Sequence, residues 1–77
     1  GLYVEGNYRP NDMLKLRIIN PRSEILYTTW KIRTPDGTES INTSGEVRLL
    51  TGTTTIRGEI TYVDGVLETI VKYIVIQ

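Results

Sequence analysis

Thr51 to Gln77 reads TGTTTIRGEITYVDGVLETIVKYIVIQ, two apolar-rich arms flanking Asp64-Gly65. Asp-Gly between such arms is a strong hairpin signal, because a tight turn needs positive φ. In the first arm Ile56, Gly58, Ile60 and Tyr62 share one face, and Arg57, Glu59 and Thr61 share the other. That period of two marks a half-buried strand. The second arm, Val66 to Gln77, is apolar on both faces. Val66, Ile70, Ile74 and Ile76 form one set, and Leu67, Val71, Tyr73 and Val75 form the other. Two accounts remain open: the strand is covered on both sides, or it changes face at a bulge.

Upstream segments read as shorter strands that pack against this hairpin. Leu2 to Glu5 is a short edge strand ended by Gly6 and Asn7. Arg9-Pro10-Asn11-Asp12 is turn chemistry, since Pro presets φ and Asn and Asp bond their own backbone. Met13 to Ile19 alternates, with Leu14, Leu16 and Ile18 opposite Lys15 and Arg17. Asn20-Pro21-Arg22-Ser23 breaks the pattern. From Ile25 to Arg33, Leu26, Thr28, Trp30 and Ile32 share one face, and Ile25, Tyr27, Thr29, Lys31 and Arg33 share the other. Pro35-Asp36-Gly37-Thr38 is a turn, and Thr38 to Thr43 a weak polar edge strand. Glu46 to Leu50 is short, with Val47 and Leu49 inward. No helical pattern competes. Strands rich in Thr, Ile and Val, broken by Gly and Pro every eight to twelve residues or so, predict an all-β sandwich of about seven antiparallel strands. Residues 1–77 form a single domain without repeats or linkers.

A chain of 77 residues and 8.8 kDa buries roughly 60% of its unfolded surface, so its stability is on the order of 5 kcal/mol. Nine Lys/Arg balance nine Asp/Glu and no basic face stands out, which argues against a nucleic-acid partner. No apolar run approaches the ~20 residues of a membrane helix. Direct membrane insertion is therefore not expected. The chain starts at Gly1, and Met13 is its only methionine; it is read as a fragment of a larger protein or a processed product.

The sequence contains no His and no Cys, and Ser23, Ser40 and Ser44 have no evident base beside them. No nucleophile–base constellation appears, and the chain is read as non-catalytic. Glu59 and Glu68, across the final hairpin among Arg57 and Lys72, are read as a solvated strand face with cross-strand charge pairs. Asp12, Asp36 and Asp64 are turn acids. Asp36 and Asp64 precede Gly and are explained by turn geometry, so neither a metal nor any other cofactor is assigned. Asn42-Thr43-Ser44 matches the three-residue glycosylation pattern, which is common by chance. Trp30, in mid-strand, is read as a core anchor between two sheets ~10 Å apart.

The candidate contact surface is Tyr27, Thr29, Lys31 and Arg33, a mixed aromatic and cationic row suited to a glycan or a protein. Tyr3 and Tyr8 either extend such a patch or pack under the first loop. A monomer is expected, with self-association through the last strand the alternative that its two apolar faces raise.

Two stretches carry a family resemblance. Trp30-Lys31-Ile32-Arg33-Thr34-Pro35-Asp36-Gly37-Thr38, followed by Gly52-Thr53-Thr54-Thr55-Ile56-Arg57-Gly58-Glu59-Ile60-Thr61-Tyr62, resembles immunoglobulin-like modules of the polycystic-kidney-disease (PKD) type. That family pairs a core Trp with an Asp-Gly-Thr turn and a later Gly-Thr strand. The turn here is one residue longer, and Thr54 stands where the family has an aromatic. The resemblance implies an immunoglobulin-like β-sandwich that spaces, presents or binds within a larger bacterial surface, secreted or envelope protein. Its implied partners are the neighbouring domains of that parent, and a glycan or a protein. It implies no catalytic residues. Two alternatives are a carbohydrate-binding module of a glycan-utilisation system and a phage virion (decoration or tail) domain.

Overall fold

In the computed structural model, seven strands form among the described residues: β1 (Leu2–Glu5), β2 (Met13–Ile18), β3 (Ile25–Arg33), β4 (Glu39–Asn42), β5 (Glu46–Arg48), β6 (Gly52–Tyr62) and β7 (Leu67–Ile76). The described residues are 1–5 and 8–77, with the side chains of Tyr3 and Glu5 excluded. The break read at Gly6 and Asn7 lies outside them. All strand pairing is antiparallel. One sheet runs β1-β2-β5 and the other β4-β3-β6-β7, so β1 and β4 are edge strands as expected.

The two sheets meet face to face across one core. Leu14, Leu16, Val47 and Leu49 come from the three-stranded side, and Trp30, Ile32, Ile56, Ile74 and Ile76 from the four-stranded side. Alternation drives this packing. Each of these residues occupies the inward parity of its strand, and covering it removes apolar surface from water.

Trp30 is 3% exposed, which agrees with its reading as an anchor. Its ring lies over Gly58, its cross-strand partner. A Cβ at Gly58 would sit 2.6 Å from Trp30 Cζ3, so only glycine leaves room for the indole.

The final hairpin closes as a three-residue loop, Val63-Asp64-Gly65. Tyr62 N–H donates to Val66 O at 3.0 Å and Gly65 N–H to Tyr62 O at 3.0 Å, with Gly65 at φ 86°. Asp64 Oδ1 accepts from Val66 N–H at 3.1 Å, which explains why an acid precedes the glycine.

Two readings of the strands are corrected. Ile25 pairs with Tyr62 and Tyr27 with Thr61, leaving Leu26 as an unpaired bulge residue. The extra residue inverts the parity before it, so Leu26 is 61% exposed and Ile25 turns toward the interior. The β6–β7 ladder runs without a bulge, so β7 does not change face, nor is it covered on both sides. Ile74 and Ile76 are buried, whereas Leu67, Val71, Tyr73 and Val75 face solvent.

The strands of the smaller sheet have 4, 6 and 3 residues, against 9, 11 and 10 for β3, β6 and β7. The smaller sheet is thus too short to cover the whole inner face of the larger. Around Tyr62 the β2–β3 connection takes over. Arg22 lies 5.8 Å from the Tyr62 ring centroid, and Glu24 O accepts from Val63 N–H at 3.0 Å.

The body measures 39 × 22 × 17 Å. Gly1 donates to Ile19 O at 2.7 Å, at the end that holds the 63–65 loop. Ile76 pairs with Gly52, beside Pro35 at the other end. Gly1 and Gln77 therefore lie at opposite ends of the strands.

Candidate functional site

The outward face of the four-stranded sheet is built by odd-numbered residues, and cross-strand register fixes its rows. One row runs Glu39, Arg33, Thr55, Tyr73, and the next runs Ile41, Lys31, Arg57, Val71. Then come Thr29, Glu59, Thr69 and finally Tyr27, Thr61, Leu67. The four residues singled out in sequence, Tyr27, Thr29, Lys31 and Arg33, do share this face.

They do not share one depression. Lys31 and Arg33 line a shallow concavity of ≈ 900 Å³ with Ile41, Arg57, Val71 and Tyr73. Tyr27 and Thr29 border a separate one of ≈ 270 Å³ with Thr61, Leu67 and Thr69. The Lys31–Glu59 ion pair, 2.8 Å, stands between them.

Charge on this face is nearly, not fully, neutralised. Arg33 Nε and Nη2 donate to Glu39 Oε1 at 3.0 and 2.6 Å. The hydrogen bond from Lys31 holds the Glu59 carboxyl below its usual range, and the Lys31 and Arg57 charges add to that effect. Arg57 lies opposite Lys31 and has no ion pair among the described residues. Three cations thus face two carboxylates. Exposed pairs of this kind are weak, so a ligand can exchange them at little cost.

Arg57, Val71, Tyr73 and Ile41 were not singled out in sequence. The signal was there, because Val71 and Tyr73 belong to the outward set of β7. Sequence leaves open whether that set is covered or changes face, since periodicity does not say which apolar face meets another sheet.

Glu59 and Glu68 do not form a shared charged face. Their parities differ: Glu59 faces outward, while Glu68 lies on the other side and accepts a hydrogen bond from the Tyr62 hydroxyl. That bond pushes the Tyr62 phenol up from its usual value. Glu59 pairs with Lys31 rather than with Lys72.

Asp36 and Asp64 serve their own turns, and Asp64 also lies 3.9 Å from Arg22 of the β2–β3 connection. Asp36 Oδ1 accepts from Thr34 Oγ1 at 2.5 Å and from Thr38 N–H at 3.0 Å, which lowers its pKa. Asp36 and Asp64 sit at opposite ends of the body, and no three acidic, His or Cys groups converge among the described residues. Asn42 is likewise engaged: its Oδ1 accepts from Gly45 N–H and its Nδ2 donates to Glu46 O, both at 3.0 Å.

Tyr8 belongs to the β1–β2 connection and does not extend the face; the Tyr3 side chain lies outside the described residues. No helix among the described residues is long and apolar enough to cross a membrane. Comparison with known proteins finds no matching family model, no similar curated protein and no similar solved structure.

Proposed function

We propose that this chain is a non-catalytic immunoglobulin-like module of a larger bacterial surface, secreted or envelope protein, and that it makes contact through the outward face of its four-stranded sheet. The strand order supports the fold name. An immunoglobulin sandwich groups strands A-B-E against C-F-G, and the grouping of β1-β2-β5 against β3-β6-β7, with β4 joined to the second, is what supports that reading.

The observation that carries the function is the open concavity. Apolar Ile41, Val71 and Tyr73, which are 66, 45 and 66% exposed, line it together with Arg57, which has no ion pair among the described residues. Uncovered apolar surface around a cation is suited to a partner that supplies an acid and a flat apolar body. Tyr27 and Tyr73 stand three rows and two strands apart, roughly 20 Å. They form no adjacent aromatic pair of the kind a sugar ring would stack on, so the face favours an acidic protein segment over a glycan.

An amide-shift titration of the labelled chain tests this, using an acidic peptide and a panel of neutral and acidic polysaccharides. Shifts gathered around Lys31, Arg57 and Tyr73 with the peptide support the reading. A response to polysaccharide alone moves the module to the glycan class. A flat response to every probe sinks the recognition role.

A spacer role is favoured separately by the positions of Gly1 and Gln77 at opposite ends of a 39 Å body. Two copies joined in tandem should scatter X-rays as a rod close to twice that length. A folded-back pair would sink it.

A further inference from the structure

We propose that β7 is a self-pairing edge: two copies join antiparallel along β7, in the single register centred on Ile70, to make one continuous sheet. The inference stands apart from the recognition reading, since it concerns the strand's edge and not the concavity.

β7 ends its sheet, and no strand lies against its outer side among the described residues. The ladder says which of its backbone groups are free. Tyr62 N–H bonds Val66 O, and hydrogen-bonded pairs alternate along an antiparallel ladder. Even-numbered residues of β7 therefore bond to β6. Leu67, Thr69, Val71, Tyr73 and Val75 direct their N–H and C=O groups off the sheet. Such a row, five residues along a ten-residue strand, is a template for another strand.

The occupant is argued from charge. β7 carries two ionic side chains, Glu68 and Lys72, two positions either side of Ile70. Lys72 has no ion pair among the described residues, and the Tyr62 hydroxyl orients the Glu68 carboxylate. In an antiparallel pair centred on Ile70, Glu68 of each copy meets Lys72 of the other, twice by symmetry. The outward row then sets Leu67 against the second copy's Tyr73, and Thr69 against its Val71. These odd-numbered pairs carry the hydrogen bonds, as the free backbone groups require.

Neighbouring registers fail. Centring on Lys72 or on Glu68 opposes like charges, and centring on Thr69 or Val71 leaves both charges against apolar residues. Inward-pointing charges commonly keep an edge solitary. Here their spacing admits one self-complementary alignment and rejects the rest.

Sedimentation equilibrium of the 77-residue chain over rising concentration tests the proposal. The expected mass climbs from 8.8 kDa toward twice that value. Val71→Pro removes an N–H that points off the sheet and leaves the β6–β7 ladder whole, so it should abolish the rise. Lys72→Glu should weaken association about tenfold or more, and adding Glu68→Lys to it should restore it. With no native Cys, Ile70→Cys should link two copies on mild oxidation. Residues directly opposite at a non-hydrogen-bonded pair stand about 4.5 Å apart, within disulfide reach. Val71→Cys should link far more slowly. A mass fixed at 8.8 kDa overturns the proposal, and so does a dimer indifferent to both Val71→Pro and Lys72→Glu. Equal linking of the two Cys variants overturns the register.

Discussion

The two faces of the four-stranded sheet draw on similar residues along β7 and meet opposite fates. Inward, Ile74 and Ile76 are 2 and 4% exposed; outward, Tyr73 and Val75, one position away, are 66 and 58% exposed. Hydrophobicity alone does not separate these pairs. What separates them is a second sheet, whose Leu14, Leu16, Val47 and Leu49 reach one side only. A chain this short has one such cover to give. The uncovered side is where a contact surface becomes physically available.

The contrast can be broken by mutation, and the largest effect is expected where the cover is tightest. Trp30→Ala should cost about 3–5 kcal/mol, comparable to the whole stability of the fold, while Tyr73→Ala changes it by less than about 0.5 kcal/mol. Urea midpoints measure both, and similar losses would mean that the outward face is covered in solution. Next comes Gly58→Ala, whose Cβ meets a ring held by the core. A loss of about 1–3 kcal/mol is expected, and a neutral result would show that the indole can shift.

A smaller change runs the other way. Thr54 is fully buried, and its Oγ1 has no hydrogen-bond partner. Thr54→Val keeps the shape and removes the orphan hydroxyl, so calorimetry should find a gain of about 1 kcal/mol.

The smallest effect belongs to the exposed charges. Glu59 is held below its usual 4.5 chiefly by the hydrogen bond from Lys31. A depressed carboxyl contributes stability that is present above that ordinary value and lost as pH falls through the lowered one. The Lys31→Met variant should therefore lose less stability than the parent between neutral pH and acid below 4.5. Identical acid limbs in the two chains would remove this pair from the account.

Much of this architecture was legible in sequence. The strand Ile25–Arg33, the inward pair Val47 and Leu49, and the hairpin face Ile56, Gly58, Ile60 and Tyr62 all follow from alternation and turn residues. The bulge at Leu26 was not legible, because one extra residue leaves a run of strand formers looking continuous while inverting every side chain before it. Glu68 was misplaced for a related reason. Proximity across a hairpin does not give the face; parity counted through the ladder does, and it sends Glu68 toward Tyr62. For the candidate face, Tyr27, Thr29, Lys31 and Arg33 were legible as one row. Arg57, Val71, Tyr73 and Ile41 join Lys31 and Arg33 only when β3, β4, β6 and β7 are set side by side.

By itself, then, the sequence determined strand positions, turns and the alternation within each unbulged run, because these depend on residues within a few positions of one another and on a period of two. Tertiary structure alone decided which parity meets the second sheet, which strand is left at an edge, and which charges oppose one another. Those outcomes depend on pairings between segments far apart in the chain, whose order no local pattern encodes.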